Sequence, residues 1–263
     1  MDENSICIIA ENIDRIAKKQ FYNQKFIKQV VIPESVHDIE PWAFAYCTSL
    51  SVVELPGKCN ISPDAFAGCE KLKQIVIKDL SDVGGKAGVL DKTADTSYLL
   101  ALLFMKFPEY SIYDITDVGS ISWLERIDYR IRKEIESPPE DGFCPFPAGG
   151  EEDYVGPEND LDYYIDTQKR ERCRLIFERI LIGNDKEWQW QYLRTCDVTF
   201  DVVVEESTRQ HEYYSIFRRL NLITDDTIEQ LLHKCIHEPE LASKLLADKT
   251  KNMSEDVFDT FKL

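Results

Sequence analysis

Short, mostly apolar runs recur near the start of this chain at a spacing that no single helix explains. Val30–Ile32, Val53–Leu55 and Ile75–Ile77 follow one another with a period of 22 or 23 residues. Their composition predicts brief strands, and Pro33 and Pro56 end two of them. The residues between the runs keep the same phase. Ile39 falls on Ile61, Ala43-Phe44 on Ala65-Phe66, Cys47 on Cys69 and Leu50 on Leu72. A degenerate earlier copy puts Ile16, Phe21 and Ile27 in the slots of Ile39, Phe44 and Leu50, with Gln24 where later copies carry cysteine. Ile9 sits one period before Ile32.

One strand and one tight return per unit describe a solenoid coil. A single coil cannot bury its own apolar edge, so coils must stack, Phe44 on Phe66 and Ile39 on Ile61. The expected core columns are Ile16, Phe21, Ile39, Phe44, Cys47, Ile61, Phe66 and Cys69. Within them cysteine is a small apolar filler with a weak S–H donor. A slot that also accepts Gln24 is not a reactive centre.

The unit I-x-x-x-AF-x-x-C-x-x-L-x-x-V-x-L-P, written out from Ile39 to Pro56, resembles the BspA-type leucine-rich repeat of gut and oral bacteria, over residues 6–78. The resemblance implies strands along a concave face and a role in adhesion or protein binding. With the family's strand orientation, the presented positions are Val31, Glu54 and Val76, with Gln29, Val52 and Gln74 beside them.

From Asp79 the period stops. Residues 79–96 are rich in Gly, Asp and Ser and predict a linker. Their GGKAG lacks the spacing of a phosphate-binding loop. Residues 97–263 predict a helical domain. SYLLALLFMKF predicts a buried helix stopped at Pro108. Trp123, Leu124, Ile127, Ile131 and Ile135 recur at helical spacing over residues 121–135. Residues 136–162, with many prolines and acids and no Lys or Arg, predict a loop that is either a solvated spacer or a segment that binds a basic partner, the spacer being the favoured reading.

Three helix pairs follow. Cys173, Ile176, Phe177, Ile180 and Leu181 form one apolar face, with Gly183 suited to the C-terminal cap, and DKEWQWQYLRTC is its partner. TFDVVVEESTRQ pairs with HEYYSIFRRLNLI, and TDDTIEQLLHKCIHE with PELASKLLADKTK. Asp226 with Glu229 predicts a capping box, and Pro239 a helix start. Glu187, Glu212 and Glu240 lie near the start of each second helix, and the recurring phase resembles ankyrin-like or other α-solenoid repeats. The tail from Leu222 on resembles helical tails attached to some BspA-type proteins. SEDVFDTFKL is expected as a final helix that caps the solenoid. The fold class is thus mixed α/β (α+β): a short leucine-rich-repeat solenoid, then an all-α domain of stacked helix pairs.

Charge narrows the partners. The net charge of −17 repels phosphate backbones and anionic headgroups, which argues against nucleic acid and membranes. No apolar run approaches the ~18 residues of a membrane span, and the acidic start does not read as a signal peptide. A cytoplasmic address is expected. The eight cysteines include no C-x-x-C and are expected to be reduced.

No catalytic constellation stands out. His233 and His237 have i, i+4 spacing, but no HExxH or third ligand accompanies them, so no metal and no cofactor are expected. His37 is expected to face solvent. Cys144, in the acidic loop, is the thiol expected to be most exposed, and its neighbours would blunt its reactivity. Trp188 and Tyr192 are expected to pack between helices. The functional expectation is a non-enzymatic protein–protein interaction scaffold. The alternatives are a surface or secreted bacterial adhesin whose leader has been removed, and an enzyme or effector with a site in the helical domain.

Overall fold

The structure, a computed structural model, describes residues 5–62, 64–78, 95–107, 115, 117–143 and 160–260. Two compact units emerge: Met1–Arg132 with Leu181–Asn184, and Lys133–Ile180 with Asp185–Leu263. The first is built on a β-solenoid of about three turns, and eight helices follow it among the described residues. The GGKAG segment, Cys144, most of the 79–96 linker and most of the 136–162 loop lie outside the described residues.

The first three coils each carry two strands, not the single one expected. The longer strands β1 (Ile6–Ile8), β3 (Gln29–Val31), β5 (Val52–Leu55) and β7 (Gln74–Ile77) form a parallel sheet in that order. The others, β2 (Arg15–Ile16), β4 (Asp38–Ile39) and β6 (Asn60–Ile61), form a second parallel sheet. Ile16, Ile39 and Ile61 are therefore paired strand residues and not isolated anchors. A two-residue strand buries one side chain, so its sequence has no alternation to reveal it.

The register reproduces the repeat. Cys7, Val30, Val53 and Ile75 align across the first sheet, and Val30, Val53 and Ile75 are fully buried. Behind them the phenylalanines stack: Phe21 on Phe44 at 5.0 Å and Phe44 on Phe66 at 5.4 Å, each pair 3° from parallel. Ile16, Ile39, Phe44, Cys47 and Cys69 are fully buried, and Ile61 and Phe66 nearly so. Phe21, in the first coil, is half-buried.

The corner around each phenylalanine is set by backbone conformation. Lys19, Trp42 and Asp64 hold φ near +60°, at 60°, 65° and 60°. Four residues on, Asn23, Tyr46 and Gly68 do the same at 59°, 60° and 67°. This places one N–H inside each corner against the next coil. Phe21 N–H donates to Ala43 O and Phe44 N–H to Ala65 O, both at 2.8 Å. The cysteine slot adds a rung: the Cys47 thiol donates to Phe21 O and the Cys69 thiol to Phe44 O, each at 3.2 Å.

Gly68 is the corner that needs glycine most. A Cβ there would lie 2.7 Å from Cδ1 of Tyr46. Gly68→Ala is expected to cost about 1–2 kcal/mol for the left-handed backbone alone, and more while the Tyr46 ring is in place. Urea unfolding of Gly68→Ala in wild-type and Tyr46→Ala backgrounds checks this. Equal losses in the two would show that the ring contact contributes nothing.

The last coil is covered by α1 (Ser97–Lys106), which packs on β7. Leu99, Leu100 and Leu103 are buried, Phe104 meets Phe66 at 6.3 Å, and Gln74 Nε2 donates to Ser97 Oγ at 3.4 Å. Asp95 accepts the Ser97 N–H at 3.0 Å, fixing the start of the helix. A covered end is what a stacked array requires. The expected final capping helix from SEDVFDTFKL is instead the continuation of α8 (Pro239–Thr260). Within α2 (Ile121–Glu136), Trp123, Leu124, Ile127 and Ile131 are buried as their spacing predicts, and Ile135 is half-buried.

The second unit holds α3 (Leu161–Leu181), α4 (Glu187–Thr195), α5 (Thr199–Glu205), α6 (Gln210–Arg218), α7 (Ile228–Lys234) and α8. Gly183, at φ 90°, ends the turn after α3. The apolar face expected on α3 is too narrow. Arg172, Leu175, Glu178 and Arg179 are buried as well as Cys173, Ile176, Phe177 and Ile180, whereas Leu181 is only half-buried. The charged members are satisfied internally. Arg172 reaches Glu134 at 3.2 Å and Ser137 O at 2.9 Å. Glu178 accepts from Arg209 Nε and Nη2 at 3.2 and 3.1 Å and from the Tyr213 hydroxyl at 2.9 Å.

Three local expectations are corrected. Residues 228–234 form a helix whose N-cap is Thr227, so Asp226 and Glu229 make no capping box. The helix stops at Lys234, and Cys235 N–H turns back to Leu232 O. His237 therefore lies in the turn before Pro239, not one helical turn above His233. On α4 the most buried ring is Trp190, not Trp188 or Tyr192, which are half-buried. Trp190 donates its indole N–H to Asp185, and the Arg219 guanidinium lies 4.2 Å from its ring.

Candidate functional site: the outer face of the four-stranded sheet

In a strand, alternate side chains leave opposite faces. With Val30, Val53 and Ile75 pointing inward, their neighbours point out in two rows. Ile6, Gln29, Val52 and Gln74 form one row, and Ile8, Val31, Glu54 and Val76 the other. All six residues expected from sequence thus share one face and align in register across β3, β5 and β7. Gln29, Val31, Val52, Glu54 and Gln74 are half-buried, while Val76 is exposed at 37%.

Sequence reasoning missed Ile6 and Ile8. They are 52% and 74% exposed on β1 and complete both rows. The signal was present: Ile9 lies one period before Ile32, and that phase sets Ile8 beside Val31 and Ile6 beside Gln29.

The only charge in the two rows is neutralised locally. Glu54 Oε1 accepts from Gln29 Nε2 at 2.8 Å, and its Oε2 lies 3.4 Å from Lys78 Nζ. The result is a nearly neutral strip of branched aliphatic side chains and amides on a chain of net charge −17. Its one carboxylate, Glu54, is engaged by Gln29 and Lys78, and the rest of the strip offers aliphatic contact and amide hydrogen bonds.

A second surface feature lies at the coil corners. Tyr22, Trp42 and Tyr46 cluster at 5.6–6.4 Å between rings. The Lys19 ammonium already sits 5.3 Å from both the Tyr22 and Trp42 rings, so the cluster is closed by the protein's own cation.

Elsewhere the chemistry is sparse. His37, His211, His233 and His237 are all exposed. Among the described residues, no three His, Cys, Asp or Glu side chains gather as a metal cage. The seven described cysteines are free thiols. Burial, with Asp38 and Glu34 nearby, pushes Cys59 up to about 12, and burial with Glu238 pushes Cys235 up to about 11. The neighbouring Cys47 sulfur and then burial hold Cys69 far above the usual thiol range, so the repeated corner cysteine is chemically quiet. No helix among the described residues is long and apolar enough to cross a membrane.

Against known families, residues 4–87 match the model described as the BspA type leucine rich repeat region, in six copies. Residues 4–87 are a BspA-type leucine-rich repeat region. The match stops short of the second unit and says nothing about its helices. No curated protein and no solved structure matches this chain. Leucine-rich repeats in general serve as protein-interaction scaffolds, and the BspA-type array supplies the coils on which the two outward rows are mounted.

Proposed function

We propose that this protein is a non-enzymatic recognition scaffold whose BspA-type array binds a protein partner through the outer face of its four-stranded sheet. The observation that carries the reading is the composition of that face. Ile6, Ile8 and Val76 are left in water on a rigid sheet, flanked by Val31, Val52 and the amides of Gln29 and Gln74. Aliphatic side chains exposed at both edges of one sheet face, with half-buried Val31 and Val52 between them, are apolar surface of the kind that marks interaction sites. A centre with one charge, itself paired, matches the charge depletion seen at interface cores. The chemistry fits a protein segment offering aliphatic side chains to the rows and backbone groups to the amides. It does not fit a phosphate backbone, which the net charge of −17 repels.

The test is site-specific photocrosslinking in a lysate of the source cell, with the probe at Val31 or, on the second sheet, at Asp38. A discrete adduct is expected from position 31 and none from position 38. Ile8→Arg and Val76→Glu should each reduce it by about tenfold with little change in thermal midpoint, because both side chains are exposed. The same adducts from both positions, or indifference to both substitutions, would overturn the proposal.

A further inference from the structure

The second unit holds a pair of cysteines that the recognition scaffold does not use. Cys173 lies on α3 and is fully buried. Cys196 is partly exposed and joins α4 to the residues that begin α5, with extended backbone at φ −79° and ψ 123°. The two sulfurs are 3.5 Å apart, with Cys173 donating its S–H to Cys196. We propose that Cys196 and Cys173 form an oxidation site for hydroperoxides, in which Cys196 is the attacking sulfur and Cys173 resolves it into a disulfide.

Three features support this division of labour. First, burial decides which sulfur ionises. Cys173 is out of water and keeps its proton, and its thiol is held well above the ordinary value by the Cys196 sulfur and by burial. Second, donors converge on Cys196: the Cys173 S–H, the Val198 backbone N–H and the Tyr192 hydroxyl bring its thiol down to about 6, against its own partial burial and the charge of Asp197. A lowered thiol favours the thiolate, the reactive form. Third, the surrounding charges are arranged to permit that. Asp197 would disfavour a thiolate beside it, but Lys169 Nζ, one helical turn before Cys173, holds both Asp197 oxygens at 3.0 Å. Lys234 from α7 also acts on Asp197, and Arg174 acts on Cys173.

The reaction balances with a hydroperoxide ROOH as oxidant. The Cys196 thiolate attacks the terminal oxygen, the O–O bond breaks, and RO⁻ leaves to take up a proton as ROH. Cys196 becomes a sulfenic acid. The Cys173 sulfur, losing its proton, then attacks the Cys196 sulfur. The S–O bond breaks, the departing hydroxide and that proton make water, and the S–S bond forms. Two thiols are oxidised and one hydroperoxide is reduced to an alcohol and water. The sulfurs need to close from 3.5 Å to the ~2.05 Å of a disulfide. Cys196 lies outside helical backbone and can supply the movement, while Cys173 is held in the middle of α3.

The experiment uses the full-length reduced protein and hydrogen peroxide, followed by thiol capping and peptide mass spectrometry. The expected product is a Cys173–Cys196 linked peptide, two hydrogen masses lighter than the reduced pair and recovered as free thiols by dithiothreitol. Cys173→Ser should stop at a Cys196 sulfenic acid that dimedone traps, and Cys196→Ser should give neither product. In the unoxidised wild type, iodoacetamide at pH 7 should label Cys196 at least about tenfold faster than Cys59 or Cys235, because its thiol is lowered and partly exposed whereas theirs are raised and buried. The wild-type measurements hold even if a buried Cys173→Ser fails to fold. Disulfides formed elsewhere, or Cys196 labelling no faster than Cys235, would overturn the assignment.

Discussion

Glu178→Ala is expected to destabilise the helical unit by about 3–5 kcal/mol. The carboxylate is 1% exposed and accepts three hydrogen bonds, two from Arg209 and one from the Tyr213 hydroxyl. Truncation removes both acceptor oxygens, and with them all three hydrogen bonds, from a guanidinium that is 13% exposed and from a phenol that is 2% exposed. The cost is dominated by the buried donors left short of partners, not by the attraction that is lost. The Tyr213 ring also stacks on Phe177 at 4.4 Å, so the polar groups cannot shift far without disturbing the apolar contact.

A conservative comparison separates the parts. Tyr213→Phe keeps the ring and deletes one hydrogen bond, so it should cost only about 1–2 kcal/mol. It should also change the alkaline limb of stability. Burial first, and then Glu178, raise the Tyr213 hydroxyl well above its ordinary value. The folded state therefore binds the proton more tightly than the unfolded state, and this contribution is fully present below about pH 10 and lost as pH rises beyond it. Tyr213→Phe should make that decline shallower, although Tyr192 and Tyr214, raised mainly by burial, maintain part of it. Urea unfolding followed by helical circular dichroism at pH 7 and above pH 10 measures both effects. A loss below about 1 kcal/mol for Glu178→Ala would mean the network is solvated and not buried.

Phe44→Ala is expected to cost a further large amount, about 3–5 kcal/mol, in the solenoid. Its ring is fully buried between Phe21 and Phe66. The neighbouring coils cannot collapse into the space, because their spacing is set by the corner hydrogen bonds from Phe21 to Ala43 and from Phe44 to Ala65. A cavity that cannot close incurs the full penalty. Phe21→Ala removes a half-buried ring at the first coil and should cost clearly less. Since each coil touches only its neighbours, Phe44→Ala also weakens both coil interfaces. The check is the unfolding free energy of the two variants side by side. Equal losses at the two positions would contradict the stacked-column account.

Much of this was legible from residue types because the interactions concerned are short in sequence and repeated. Val30, Val53 and Ile75 recur in phase, and the phase alone sets which side chains pair across the sheet. The family's strand orientation, applied to that phase, pointed to Gln29, Val31, Val52, Glu54, Gln74 and Val76, and the phase carried back to Ile9 would have added Ile6 and Ile8. Helices over residues 97–106, 121–136 and 187–195 were legible for a related reason: an apolar face at helical spacing is a local property.

What needed the tertiary structure depends on partners far apart in sequence or on conformations without a composition signature. The second sheet rests on strands of two residues, too short for any alternation to show. The left-handed corners at Lys19, Trp42 and Tyr46 fall on residue types that do not announce them. Glu178 and Arg209 sit 31 positions apart, and on α3 Glu178 reads as an ordinary solvated acid until α6 covers it. Cys173 and Cys196, 23 positions apart, come within 3.5 Å only in the folded chain. Stacking of identical coils is a nearest-neighbour problem that a sequence solves by repetition. The pairing of one buried charge or one thiol with another is decided only when unlike helices dock, and no local pattern encodes that choice.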